Sequence, residues 1–171
     1  MSSRRASILA CATLICLLVV TDTAVAQQTV FVVRHAERAD TQSGASPVGG
    51  SDPDLSNAGY ARAESLAEVL KDAGVRAIFV TEYKRTQQTA APLAKRLDIQ
   101  PRTIVAKDTT ALVAAIKNTP RGVLVVGHSN SLPEIVKALG VTEAIAIGDN
   151  DYDDLFIVSL GERPTLLRLH Y

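Results

Sequence analysis

Two short strings constrain this chain more than any other feature: Val32-Val33-Arg34-His35-Ala36-Glu37 and Val125-Val126-Gly127-His128-Ser129-Asn130. In each, a β-rich apolar run ends on a histidine, and residues with turn or cap chemistry follow. A continuous apolar run of this kind reads as a strand buried on both faces, as in parallel sheets covered by helices. The carboxyl ends of such strands line the ligand crevices of open α/β sheets. Two histidines at two strand ends, with Arg34 beside the first, describe a small basic pocket suited to a phosphoryl group.

The first residues are set apart from the fold. Arg4 and Arg5 form a positive n-region, Ile8 to Val20 is an apolar run, and Ala24-Val25-Ala26 supplies a small-x-small cleavage pattern. Residues 1–26 therefore read as a signal peptide cut after Ala26, and residues 27–171 as a single exported domain, periplasmic or secreted. The apolar run is shorter than the ~20 residues a spanning helix needs. Cys11 and Cys16 both fall in the leader, so the mature domain has no cysteine and must be held together by its core alone. Eighteen Lys and Arg balance eighteen Asp and Glu. No polybasic stripe points to nucleic acid, and no second apolar segment points to a membrane once the leader is removed. Any anion site must be a local cluster.

Along the mature chain, strand and helix patterns alternate. Thr29–Val33 is the first strand, and Ala39–Pro53 is a Gly/Ser/Pro-rich loop long enough to be functional. A helix follows with Ser56 as N-cap, an apolar face of Ala63, Leu66, Ala67, Leu70 and Ala73, and Gly74 at C′. Val75–Val80 is a second strand. The spacing of Ala90, Leu93, Ala94 and Leu97 predicts a helix over Lys84 to Leu97, which Pro92 should kink or restart. Thr103–Val105 reads as a short strand, Thr109–Asn118 as a short helix, and Gly122–Val126 as the strand that delivers His128. Ser131-Leu132-Pro133-Glu134 reads as a capping box before a helix that buries Leu132, Ile135, Val136 and Leu139. After an acidic turn, Leu155–Ser159 and Leu166–His170 close the domain around Gly161–Pro164. The expected architecture is α/β: a three-layer αβα sandwich with a mostly parallel central sheet.

With these elements in place, the chain resembles the histidine phosphatase superfamily, the phosphoglycerate-mutase-like group. Arg34-His35-Ala36-Glu37 is similar to its Arg-His-Gly/Ala-Glu after the first strand. Lys84-Arg85-Thr86-Gln87-Gln88-Thr89-Ala90 is similar to its Arg-x-x-x-Thr-Ala, and Gly127-His128 to its second histidine. Asp54-Leu55-Ser56-Asn57-Ala58-Gly59 resembles the family's entry into its first helix. The likeness runs in order from Thr29 to about Leu139. It implies an exported phosphomonoesterase with His35 as nucleophile, in which Arg34, Arg85 and His128 hold the non-bridging oxygens. A neutral imidazole can attack phosphorus and split hydrolysis into two easier steps, and arginine's planar fork suits phosphate. The resemblance calls for no cofactor or metal, and the partner is a small-molecule or surface phosphomonoester. It leaves the oligomeric state open.

The proton donor for the leaving group is less legible. Ser129 follows the second histidine, which excludes the branch with an aspartate there. In the mutase-like branch an acidic residue follows the third strand, where Asp108 is nearest, with Glu37 and Glu82 as alternatives. Two further readings stay open on the same residues: a non-catalytic phosphate-binding module, and a phosphoramidase or phosphomutase of the same fold. Other features read as structure. Gly127-His128-Ser129-Asn130-Ser131 lacks the second glycine of a serine nucleophile elbow. Asp149, Asp151, Asp153 and Asp154 read as a solvated turn, since no glycine-centred loop and distal Glu complete a calcium site. His170 reads as an edge-strand residue, and Glu134 as a cap.

Overall fold

The computed structural model describes residues 27–40 and 52–171. The leader read at residues 1–26, and most of the Gly/Ser/Pro loop, lie outside the described residues. Among the described residues no helix is long and apolar enough to cross a membrane.

Among the described residues six strands and four helices follow one another: β1 (Gln28–Arg34), α1 (Asn57–Leu70), β2 (Val75–Val80), α2 (Lys84–Leu97), β3 (Arg102–Thr103), α3 (Thr109–Lys117), β4 (Gly122–Gly127), α4 (Leu132–Ala138), β5 (Asp154–Leu160) and β6 (Thr165–His170). One sheet holds them in the order β3-β2-β4-β1-β5-β6. The first four are parallel to one another, and β5 and β6 are antiparallel additions. β4, between β2 and β1, is buried along its whole length, which is why Val123, Leu124, Val125 and Val126 need no polar alternation.

The helices divide between the two faces. Leu66, Leu70, Ala90 and Leu93 of α1 and α2 pack with Phe31, Val33 and Ile78 on one face. Leu112 and Ile116 of α3 and Leu132, Ile135 and Val136 of α4 pack with Val30, Phe79 and Val125 on the other. This is the expected three-layer sandwich. The chain leaves β1 toward one face and β4 toward the other, although the two strands are adjacent and parallel. Such a divergence opens a crevice at the carboxyl ends of the two strands.

Several local expectations change in detail. α1 stops at Leu70, earlier than the stop read at Gly74; Ala73 N–H donates to the Leu70 carbonyl (3.1 Å), and Gly74 takes φ +74° before β2. Pro92 does not restart α2, which runs unbroken from Lys84 to Leu97. The buried Ala90, Leu93 and Ala94 on both sides of the proline hold that turn against the sheet, compensating the one missing N–H. β3 is shorter than predicted and lies at the sheet edge. The capping box at Ser131 does not form, because the Ser131 hydroxyl is engaged by the backbone of His128 instead.

Ser56 caps α1 as the sequence predicts, accepting from Gly59 N–H at 3.1 Å. Gly59 itself packs on the segment that follows His35: a Cβ there would stand 2.2 Å from the Glu37 carbonyl oxygen. That oxygen already accepts the Ser56 N–H at 2.9 Å. Backbone rather than a flexible side chain blocks the space, so α1 must shift to admit a methyl group. Gly59→Ala should therefore destabilise the domain by ~1–3 kcal/mol, the range for overpacking, read as a lower urea midpoint with unchanged slope. An unchanged midpoint would show that α1 can move away from Glu37 without loss.

Candidate active site

The β1–β4 register places the two histidines. Arg34 pairs with Gly127 across the parallel ladder, so the next residue of each strand is a histidine at the same level. His35 N–H donates to the Gly127 carbonyl at 2.9 Å, extending the ladder by one step. The two imidazole rings then stand 5.3 Å apart, centre to centre, at 62°. Both are buried.

The state of His35 follows from one bond. Its Nδ1 lies 2.8 Å from the Ala36 carbonyl. A carbonyl can only accept, so Nδ1 carries the hydrogen and Nε2 keeps its lone pair in the neutral ring. Burial pulls His35 down from 6.5 to about 3 against the opposing Ala36 bond, and His128, Arg85 and Arg34 lower it further. At neutral pH His35 is an uncharged imidazole with a bare nitrogen.

His128 is fixed from both sides. Its backbone N–H donates to Ser131 Oγ (3.1 Å), and Ser131 Oγ–H donates back to its carbonyl (3.2 Å). Its Nε2 lies 3.1 Å from Thr81 Oγ1. Thr86 Oγ1 donates to the Tyr83 carbonyl at 2.8 Å, so the 2.9 Å contact between the Thr81 and Thr86 hydroxyls takes its hydrogen from Thr81. Thr81 is then an acceptor toward His128, and Nε2 carries the proton of the neutral ring. Burial lowers His128 to about 4; Arg85 adds to the fall and Glu82 opposes it.

Two arginines complete the cluster. Arg34, buried at the end of β1, has Nη1 within hydrogen-bond distance of the carbonyls of Gly148 (3.0 Å), Asp149 (2.9 Å) and Asp151 (3.3 Å). Arg85, in the first turn of α2, has Nη1 3.4 Å from Asp52 Oδ1. Each guanidinium lies over a tyrosine ring, Arg34 over Tyr152 at 4.0 Å and Arg85 over Tyr83 at 4.2 Å. The same tyrosines flank the histidines: Tyr83 meets His128 edge-on at 5.3 Å, and Tyr152 stands 6.2 Å from His35. The Nε–H groups of both arginines are buried with no hydrogen-bond partner among the described residues. An orphaned buried donor costs about 1–3 kcal/mol. Two of them beside two histidines form a cradle whose donors fit an anion.

The threonine of the Arg-x-x-x-Thr motif joins the halves of the site. Thr89 Oγ1 accepts from Ala36 N–H at 2.9 Å and donates to the Arg85 carbonyl at 2.7 Å, so it ties the residue after His35 to the turn that carries Arg85. Asp52, from the loop before α1, accepts Lys84 N–H through both oxygens (3.1 and 3.0 Å) and caps α2, whose own Tyr83 offers no side-chain cap. None of Thr81, Thr89, Tyr83, Tyr152 or Asp52 stands out in the sequence as a site residue. Thr89 had a signal in its motif spacing; the others become visible only through contacts between distant segments.

The acid candidates separate. Asp108 is exposed and caps α3, its Oδ1 accepting from Ala111 N–H at 2.9 Å. It lines a cleft with Thr81, Gly127 and Ser131 but makes no bond with either histidine or either arginine. Glu37 is held by Arg62 through both oxygens (2.7–3.0 Å). Glu82 Oε2 accepts from Ala106 N–H at 2.8 Å. The acidic turn is more than a solvated loop. Its carbonyls hold Arg34, and Asp154 is buried and doubly bonded to Arg168 (2.6 and 2.8 Å). Asp153, Asp154 and His170 lie within metal-ligand reach of one another, but Arg168 already occupies both Asp154 oxygens.

The depressed histidines make stability depend on pH. Below an unfolded value of 6.5, the unfolded chain takes up protons that native His35 and His128 take up only near about 3 and 4. Unfolding then binds protons, so stability present above pH 6.5 is lost as the pH falls toward 4. Urea melts at stepped pH should show this fall. Replacing both histidines by glutamine should flatten it between pH 6.5 and 4.5, and an equal slope in the double variant would place the proton uptake elsewhere.

Comparison with known proteins bears on the fold. The family model of the histidine phosphatase superfamily (branch 1) matches residues 30–106, a span that includes Arg34, His35 and Arg85 and stops short of His128. No curated protein matches the sequence. Solved structures of similar fold include a mycobacterial hydrolase (TM-score 0.67, 16% identity, covering 82% of this chain and 96% of that one). They also include the mycobacterial glucosyl-3-phosphoglycerate phosphatase complexed with VO3 (0.64, 17%, 81% and 97%). A third is the protein histidine phosphatase SixA complexed with tungstate (0.62, 19%, 84% and 97%). The chain has the fold of the histidine phosphatases.

Proposed function

We propose that this chain is a histidine phosphatase that hydrolyses phosphomonoesters through a phosphohistidine on His35. The observation that carries the reading is the pair of orphaned Nε–H donors of Arg34 and Arg85 beside an uncharged His35. Phosphoryl transfer needs positioning and charge stabilisation more than covalent machinery, and this cluster supplies both. The vanadate and tungstate bound by two proteins of this fold are oxyanions of the kind such a cradle accepts.

In the first step the His35 Nε2 lone pair forms a bond to phosphorus as the ester P–O bond breaks. The Ala36 carbonyl holds the Nδ1 proton and stabilises the charge that grows on the ring. Arg34 and Arg85 bind the non-bridging oxygens, kept flat by Tyr152 and Tyr83. A dianionic ester beside His128 favours the charged form of that ring, which then donates to the phosphoryl group. In the second step water forms its bond to phosphorus, the P–N bond breaks, and Nε2 regains its lone pair. We extend the proposal to residues 1–26 as an export signal cut after Ala26, with residues 27–171 as one catalytic domain outside the cytoplasm.

Rapid quench of the wild type with p-nitrophenyl phosphate should trap an acid-labile phosphoenzyme, absent in His35→Ala. Orthovanadate should raise the Tm of the wild type, and Arg85→Lys, which keeps charge but loses the planar fork, should reduce that shift. Arg85→Ala should lower kcat by about 10³-fold or more, on the scale of removing a transition-state arginine. A His35→Ala enzyme that turns over at the wild-type rate would refute the nucleophile.

A further inference from the structure

The proposed reaction needs a proton for a poor leaving group, and we propose that Glu82 supplies it; this rests on the phosphatase reading above. Glu82 follows Thr81, whose hydroxyl meets His128, so it stands at the carboxyl end of β2 beside the catalytic crevice. Two contacts orient it. Its carbonyl accepts from Gln87 Nε2 at 3.1 Å, and its Oε2 accepts from Ala106 N–H at 2.8 Å. Oε1 makes no bond among the described residues. The Ala106 contact brings the carboxyl group to the loop after β3. Glu82 reaches that place from the neighbouring strand.

Three of the other carboxylates near the site are committed. Glu37 has both oxygens on Arg62, Asp52 has both on Lys84 N–H with Arg85 added, and Asp40 has both on Arg38. Residues 41–51 contain no Asp or Glu, so that loop cannot contribute one. Asp108 keeps a second oxygen, but it caps α3 and its charge is not among the main influences on His128. Glu82 is the carboxylate that weighs most on His128.

The proton balance is simple. As Nε2 bonds to phosphorus and the P–O bond breaks, the electron pair left on the ester oxygen takes the Glu82 proton. In the second half, the Glu82 carboxylate takes a proton from the attacking water as its oxygen bonds to phosphorus. The acid is thereby restored, and phosphate and free His35 remain.

Leaving-group dependence tests the assignment. Glu82→Gln should lower kcat/KM for β-glycerophosphate by about 10²-fold or more, the usual scale of general acid catalysis, and change it only a few-fold for p-nitrophenyl phosphate. Glu82→Ala, with added formate, should regain part of the β-glycerophosphate rate and so serves if the glutamine variant folds poorly. Equal losses on both esters, with phosphoenzyme still formed, would overturn Glu82 alone. A leaving-group split in Asp108→Asn but not in Glu82→Gln would return the role to Asp108. A wild type that forms no phosphoenzyme with either ester would overturn the phosphatase reading and this inference together.

Discussion

The site depends on one stretch of backbone pairing. Because Arg34 and Gly127 are in register on adjacent parallel strands, His35 and His128 emerge side by side. The extra bond from His35 N–H to the Gly127 carbonyl keeps the two chains together for one residue beyond the strands. Side chains alternate faces with a period of two, so a slip of one residue would turn the histidines to opposite faces. The apolar residues on both faces of β4 resist such a slip, since any other register would misplace Val123, Leu124, Val125 and Val126 against two separate cores. The packing that stabilises the domain is thus the same packing that sets the distance between the histidines.

Around that pair, the electrostatics oppose one another in a useful way. Burial beside two arginines makes a charged imidazole unfavourable, so His35 stays neutral across the physiological range. In the same surroundings tyrosine rings cover the two arginines, and backbone carbonyls or Asp52 bind their Nη1 groups. Each keeps a buried Nε–H with no partner among the described residues. The protein therefore carries unsatisfied donors at its centre, an arrangement suited to an oxyanion. Such sites are built rather than accidental, since buried donors elsewhere in proteins are almost always paired. Tyr171 Oη is the one other buried side-chain atom without a partner among the described residues, and we have no functional account of it.

Much of the fold was legible in periodicity. The Ser56 cap, the α1 and α2 apolar faces and the strand at Val75–Val80 follow from local chemistry that tertiary contacts do not alter. Elsewhere a local signal met a competitor. Ser131 has the sequence of a helix cap, but its hydroxyl binds the backbone of His128 three residues earlier instead. Pro92 has the sequence of a helix break, yet the buried face around it carries α2 through. In the site, Arg34, His35, Arg85 and His128 could be named because each sits in a short motif. Tyr83 and Tyr152 could not, since nothing within one segment says that an aromatic ring will lie over a distant guanidinium.

The sequence by itself determined which residues stand at strand ends, which helix faces are apolar, and that the only basic cluster of interest is local. Those properties depend on neighbours a few residues apart. Tertiary structure alone decided how the separate segments meet: that Thr89 joins Ala36 to Arg85, that Asp52 caps a helix 32 residues further on, and that Glu37 is bound by Arg62. It also brought the Glu82 carboxyl to the loop after β3, where the reading along the chain had placed Asp108. The physical reason is common to all of them. Hydrogen bonds and ion pairs act over about three ångströms in space, and spacing along the chain carries no record of which distant groups folding brings that close.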